Sequence, residues 1–229
     1  EDEEAMSVTD ASLDALSDEG RSLWTAAFAL ARAARPVSPK RRTHPLPPLL
    51  FFTDPRRTPE PWTTAAHLPA GSAVVYRHFG AAGAEATARR LRDITTIRDV
   101  RLLIGLDAAL AEAVGADGVH LPERARDRAG AFRHTHPDWL ITGAAHIDGD
   151  PEAPTAGIDA LVLSPVFPTN SPSPFRPALG GEGLAEAVRR SGLPIYGLGG
   201  IDAANVGALI GTGACGIAGV EAFNRAFSG

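Results

Sequence analysis

The sequence predicts an α/β protein, a (β/α)8 TIM barrel preceded by an N-terminal helical extension. Three observations predict it. Eight short apolar runs alternate with helix-patterned segments or short connections between Leu49 and Val220. At 229 residues, the chain has the size at which one such barrel forms a single domain. The last two strand runs both exit into glycines, Gly199-Gly200 and Gly219, where a barrel of this kind holds phosphate. An open flavodoxin-like sheet uses only five strands and leaves several runs unassigned.

Residues 1–47 read as an appendage, a helix and a proline-rich linker, to a barrel spanning 48–229. Asp14–Ala34 carries Leu16, Leu23, Phe28 and Leu30 among alanines, enough for one helix against the barrel's outside or N-terminal end. Pro36, Pro39, Pro45, Pro47 and Pro48 make the linker extended. The first strand is Leu49–Thr53, stopped by Asp54-Pro55, with a short helix at Trp62–His67. The second is Ser72–Phe79, followed by a helix at Ala84–Thr96. The third, Val100–Ile104, leads to Asp107, the expected cap of a helix at Ala108–Val114. The fourth, Gly118–Leu121, precedes a basic helix at Arg124–His134. The fifth is Trp139–Thr142. The sixth is Leu161–Val166, with a proline-rich loop from Pro168 to Pro177 and a helix at Gly183–Ser191 after it. Pro194–Leu198 is the seventh. Asp202 is placed to cap a helix at Ala203–Ile210, broken by Gly211–Gly213, and Gly216–Val220 is the eighth strand.

Composition narrows the function classes. Hydrophobic content of 44% and charged content of 21% are globular values that allow a sizeable core. A net charge of −5 speaks against a general nucleic-acid binder. The apolar run Trp24–Leu30 is closed off by Arg21 and Arg32, so no membrane helix is expected, and the first residues lack a signal-peptide layout. The one cysteine, Cys215, lies in an apolar run and reads as a core filler; a lone thiol suits a reducing cytoplasm. Scattered histidines and a buried thiol give no metal site. The alanine-rich helix faces leave a homo-oligomer open.

Chemistry in such a barrel collects at the C-terminal ends of the strands. Arg77 falls there, beside His78, as a catalytic anchor for phosphate or carboxylate, or as one half of a structural ion pair. His120 and His146 each end a strand and are either proton carriers or hydrogen-bonded packing residues. Asp54 either caps its loop or contacts a ligand, while Ser164 and Thr169 are candidates for binding substrate oxygens. Gly199, Gly200, Gly219 and Val220 are candidates for presenting backbone N–H groups to a phosphate; the alternative is that the glycines serve packing. Glu221 follows them and would repel a phosphate dianion unless it turns away or pairs with Arg225 one helical turn on.

Five stretches coincide in order and spacing with one family. FFTD at 51–54, AEAVGADGVHLPE at 111–123, LSPVFPT at 163–169, GLGGI at 197–201 and GACGIAGVEAF at 213–223 together resemble thiamine-phosphate synthase and its sister, thiazole tautomerase. The resemblance implies a reaction joining a pyrimidine pyrophosphate to a thiazole phosphate, with release of pyrophosphate and help from magnesium. Small phosphorylated heterocycles are then the implied ligands. Pyrophosphate leaves as a carbocation-like pyrimidine forms, so the departing oxygens need a metal on carboxylates and Arg or Lys on the phosphates.

Departures from the family pattern fall on those parts. Its second strand ends in Gln-x-Arg-x-Lys, whereas this chain has Val75, Arg77 and Phe79. Its third ends in an Asn-Asp pair with a magnesium ligand, matched here by Gly105-Leu106, with Asp107 one position late. Its second magnesium carboxylate is replaced by Ala125, leaving Glu123 and Asp127 nearby. A Thr-x-Thr-Lys pattern becomes Thr169, Asn170, Ser171 and Pro172, which keeps Ser171 as a substrate-binding candidate and leaves Arg176 to supply the charge. The tautomerase histidine before Val-Phe is replaced by Ser164-Pro165. The sequence therefore points first to a synthase. The alternatives are a catalytically silent barrel for thiamine-pathway ligands, and an isomerase of a phosphorylated azole using His120 or His146.

Overall fold

The computed structural model describes residues 15–34, 45–146, 155–169 and 177–229. Helix α1 (Asp18–Ala34) comes first, followed by β1 (Leu49–Phe52), α2 (Pro61–Ala65), β2 (Ala73–Tyr76), α3 (Ala84–Ile97) and β3 (Arg101–Gly105). Next are α4 (Ala108–Val114), β4 (Gly118–Leu121), a 3-10 segment (Glu123–Arg128), α5 (Ala129–Thr135), β5 (Leu140–Ala145) and β6 (Ala160–Leu163). The chain ends with α6 (Gly180–Arg190), β7 (Ile195–Leu198), a 3-10 turn (Val206–Leu209), β8 (Gly216–Gly219) and α7 (Glu221–Phe227). Each strand pairs in parallel with the next, and β8 returns to β1 with Leu50 opposite Ala218, which closes the barrel. No helix among the described residues is long and apolar enough to cross a membrane.

Strand alternation sorts the core into two layers. Leu50, Phe52, Ala73, Val75, Leu103, Leu140, Val162 and Tyr196 cluster together and fill the barrel. Leu49, Phe51, Val74, Leu102, Ile104, Ile141 and Ile217 belong to the larger cluster shared with the surrounding helices. Tyr196 is fully buried, and its hydroxyl donates to the Pro47 carbonyl at 2.7 Å, so the segment entering β1 is tied to the floor of the barrel. A buried phenol with a partner keeps its packing area at no cost in lost hydrogen bonding.

Helix α1 packs on the outside of the barrel, against α7, β8, β1 and the 3-10 turn after β7. The Ser17 hydroxyl accepts from Gly20 N at 3.0 Å and donates to the Ala226 carbonyl at 2.8 Å, so one side chain caps α1 and pins it to α7. A Cβ on Gly20 would lie 3.0 Å from that same carbonyl, so glycine permits the close approach.

Several elements differ from the sequence expectation, each for a local reason. The helix expected at Ala203–Ile210 is only the 3-10 turn Val206–Leu209. Gly207 weakens helix propensity there, and α1 covers the adjoining face. The basic helix expected at Arg124–His134 divides into the 3-10 segment and α5. The second strand stops at Tyr76, three residues early: Arg77 N donates to the Thr53 hydroxyl instead of a neighbouring strand, and Phe79 takes a left-handed φ of 48°. The sixth also ends early, at Leu163, while the fifth runs on to Ala145.

Candidate functional site

The strands' C-terminal ends carry two chemically different regions. At the end of β1 and β2, Thr53 continues the pairing, its N–H donating to the Val75 carbonyl at 3.0 Å. Its hydroxyl accepts from Arg77 N at 2.9 Å, and its carbonyl accepts from Arg77 Nε at 2.9 Å. These bonds aim the Arg77 guanidinium across the mouth. It stacks over Phe52 at 5.0 Å and under Phe79 at 5.4 Å, while its second terminal nitrogen is buried with no partner. A Cβ on Gly105 would meet Arg77 Cγ at 3.0 Å, so Gly105 leaves room for the side chain. Burial, and next the charge of Arg57, bring the Arg77 pKa down to about 10; Asp54 opposes them. Arg77 is thus charged at neutral pH, at a cost that an anion would relieve.

Asp54 folds the loop behind it. One oxygen accepts from Arg56 N at 3.0 Å and Arg57 N at 3.1 Å, and the other pairs with the Arg57 guanidinium at 3.2 Å. Burial pushes its pKa up, but these backbone donors and the Arg57 charge outweigh that and hold it below the usual carboxylate range. Of the two roles open to Asp54, loop capping is the one with partners in place.

His120 lies inside the barrel, 7% exposed, its ring perpendicular to that of Phe52 with centroids 4.9 Å apart and Nδ1 sharing a hydrogen bond with the Thr142 hydroxyl at 3.0 Å. Burial, then the Arg77 charge, lowers its pKa to about 3, so the imidazole is neutral at working pH. A neutral ring on Thr142 can orient a ligand or pass a proton, but it supplies no positive charge. Arg77 and His120 thus meet through Phe52. His146 stands apart, its Nδ1 held by Glu123 at 2.7 Å.

The second region is formed by β6, β7 and β8. Ser164 N donates to the Ala145 carbonyl at 3.1 Å and the side chain is half-buried; Thr169 is exposed. Ser171 lies outside the described residues. Gly199 and Gly200 take left-handed φ values of 98° and 65° and pass directly under the β6 loop, where a Cβ on Gly200 would sit 2.4 Å from the Pro168 carbonyl. Asn205 holds the turn, donating to the Gly200 carbonyl at 2.7 Å and accepting from Asp202 N at 3.0 Å. Gly219 has a packing reason of its own, since a Cβ there would collide with the Phe223 ring at 2.3 Å. Val220 precedes α7 and is half-buried. Glu221 is exposed, and Arg225 pairs with Glu19 of α1 at 3.3 Å, a contact across the fold in place of the helical pair expected within α7.

The magnesium that the resemblance implies does not fit the carboxylates here. One Asp107 oxygen accepts from Leu110 N at 2.9 Å as the cap of α4, and the other lies 3.4 Å from His78 Nε2. Glu123 is committed to His146, and Ala125 has no ligand to offer. Among the described residues, no group of three His, Cys, Asp or Glu side chains is placed to hold a metal ion. The sequence reading also passed over Arg57 and Thr53. The signal for Arg57 was an arginine pair directly after the strand-ending Asp54-Pro55.

Comparison with known proteins gives the geometry a context. Residues 49–223 match the family model described as thiamine monophosphate synthase. The chain is 34% identical over 142 residues to thiamine-phosphate synthase of Bacillus velezensis, covering 61% of this chain and 62% of that one. It is 35% identical over 133 residues to thiamine-phosphate synthase of Methanoculleus marisnigri, covering 58% and 63%. The matched stretch thus spans less than two thirds of either curated relative's length. Among solved structures, thiamine phosphate pyrophosphorylase from Pyrococcus furiosus superposes with a TM-score of 0.64 at 26% identity, covering 79% of this chain and 91% of that one.

Proposed function

Because the chain belongs to the thiamine monophosphate synthase family, we propose that this barrel serves thiamine biosynthesis as a synthase-type transferase, coupling a pyrimidine pyrophosphate to a thiazole phosphate. In that reaction the carbon–oxygen bond to pyrophosphate breaks, a carbon–nitrogen bond to the thiazole forms, and pyrophosphate departs. Charge builds on the departing oxygens, and a fixed cation in a water-poor mouth stabilises them most. The observation that carries the reading is Arg77, charged, held by both polar groups of Thr53, and retaining a buried donor without a partner.

The thiazole phosphate belongs at the other region, beside the left-handed Gly199-Gly200 turn, whose glycines also let it pack against the Phe167 and Pro168 carbonyls of the β6 loop. Ser164 and Thr169, at the end of β6 and in the loop after it, serve as hydroxyl donors in this reading. Neutral His120, inside the barrel beside Phe52, orients the pyrimidine ring from which pyrophosphate departs. A reducing cytoplasm is the compartment this reading proposes, which a chain with one cysteine suits.

A second reading, a barrel that binds these ligands without turning them over, is favoured by the engagement of Asp107 and the alanine at 125. One assay separates the two. Purified protein supplied with both substrates, with and without magnesium, makes thiamine phosphate if the first reading holds. Calorimetric binding of thiazole phosphate with no product, where a control synthase works, supports the second.

A further inference from the structure

We propose that Arg57 and Arg77 together form a diphosphate-binding site at the β1–β2 mouth that works without a divalent cation. The inference rests on the synthase reading and deepens it by naming what neutralises the pyrophosphate group. Arg57 follows β1 on the loop that Asp54 folds, whereas Arg77 follows β2, and the pairing of those strands through Thr53 brings the two loops together.

Three observations converge. The two arginines lie close enough for their charges to interact, with one carboxylate nearby: Asp54 pairs with Arg57 at 3.2 Å, and the charges of both act on Arg77. The cluster therefore keeps one positive charge in excess in a poorly solvated place. Each arginine also keeps a buried donor without a partner, Nε of Arg57 and a terminal nitrogen of Arg77. Buried donors left unmade are costly, and an oxyanion bridging the two heads would satisfy both. Finally, the ring over Arg77 is that of Phe79, which is 69% exposed, so one side-chain rotation opens the guanidinium to a ligand. Arginine suits this task because its forked donors match phosphate oxygens. The carboxylates that would otherwise carry a metal are meanwhile capping a helix or bound to histidine.

Inorganic pyrophosphate titrated into the full chain by calorimetry tests the site. Binding is expected in EDTA, with less than a twofold change on adding magnesium. Arg57→Gln should weaken it at least tenfold, and Arg57→Lys, which keeps the charge but not the fork, by an intermediate factor. Asp54→Asn preserves the oxygen that caps the loop and removes the competing charge, so affinity should rise at least threefold. Absence of binding in EDTA overturns the site, whether or not magnesium restores it. So does Arg57→Gln binding as tightly as the wild type, or Asp54→Asn leaving affinity unchanged or weaker. Thiamine phosphate formation measured in parallel separates the two ideas. Product without pyrophosphate binding in EDTA removes the arginine site and leaves the synthase reading. EDTA binding lost in Arg57→Gln, with no product from the wild type, does the reverse.

Discussion

The β1–β2 mouth and the β6–β8 mouth sit on one barrel, yet in the proposed reaction they would address anions by different means. The first uses side chains: Arg57, oriented by Asp54, and Arg77, oriented by the hydroxyl and carbonyl of Thr53. The second uses main chain, a left-handed Gly199-Gly200 turn braced by Asn205. Side-chain charge acts strongly in a desolvated mouth and tolerates change around it as long as the arginines stay. A backbone turn supplies weaker dipoles and depends on geometry that no substitution at the glycines preserves.

The largest effect expected is from Arg77→Ala, which removes the side-chain half outright. Product formation should fall by roughly 10²–10³-fold, as for other donors to a developing anion. Retention of more than a tenth of the rate would show that the first mouth is not where charge is neutralised. Gly200→Ala attacks the other half. A Cβ 2.4 Å from the Pro168 carbonyl at φ 65° should cost about 1–3 kcal/mol of stability, read from the urea midpoint. Thiazole phosphate binding should weaken at least tenfold while pyrophosphate binding stays within twofold. Equal loss of both would mean that the two regions do not act separately.

The neutral imidazole between them gives a pH signature. His120 has a pKa of about 3 when folded and an ordinary value near 6.5 when unfolded, so the unfolded chain binds the extra proton between those values. Stability should therefore fall as pH drops from 6.5 toward 3, by at most about 1.4 kcal/mol per unit from this group, and His120→Gln should flatten that slope. An unchanged slope in urea titrations would mean that the ring is solvated. The smallest effect belongs to exposed Glu221: Glu221→Gln should tighten thiazole phosphate roughly two- to fivefold, within the range of surface charge pairs.

Local signals were legible in the sequence and distant ones were not. Helix α4 is read to the residue because Asp107 caps one end and Gly115, with φ 62°, ends the other, both written within a few positions. The eight strands are visible as apolar runs, because both faces of a closed parallel sheet are covered. The failed helix at Ala203–Ile210 carried the same kind of cap, and Asp202 does accept from Ala204 N and Asn205 N. What overrode it was glycine content together with α1, a segment about 180 residues away in the chain, covering that face. The tie between Arg225 and Glu19 is hidden for the same reason. In the site, Arg77 was legible from its place at a strand end. Its partner Arg57 was not, because only the β1–β2 pairing brings their loops together.

The central claim is that this barrel couples the two thiamine precursors using side-chain charge at one mouth. Chromatographic detection of thiamine phosphate, from both substrates with wild type and Arg77→Ala side by side, tests it most directly. The account predicts product from the wild type and its loss in the variant. No product from the wild type, in conditions where a control synthase is active, would contradict it.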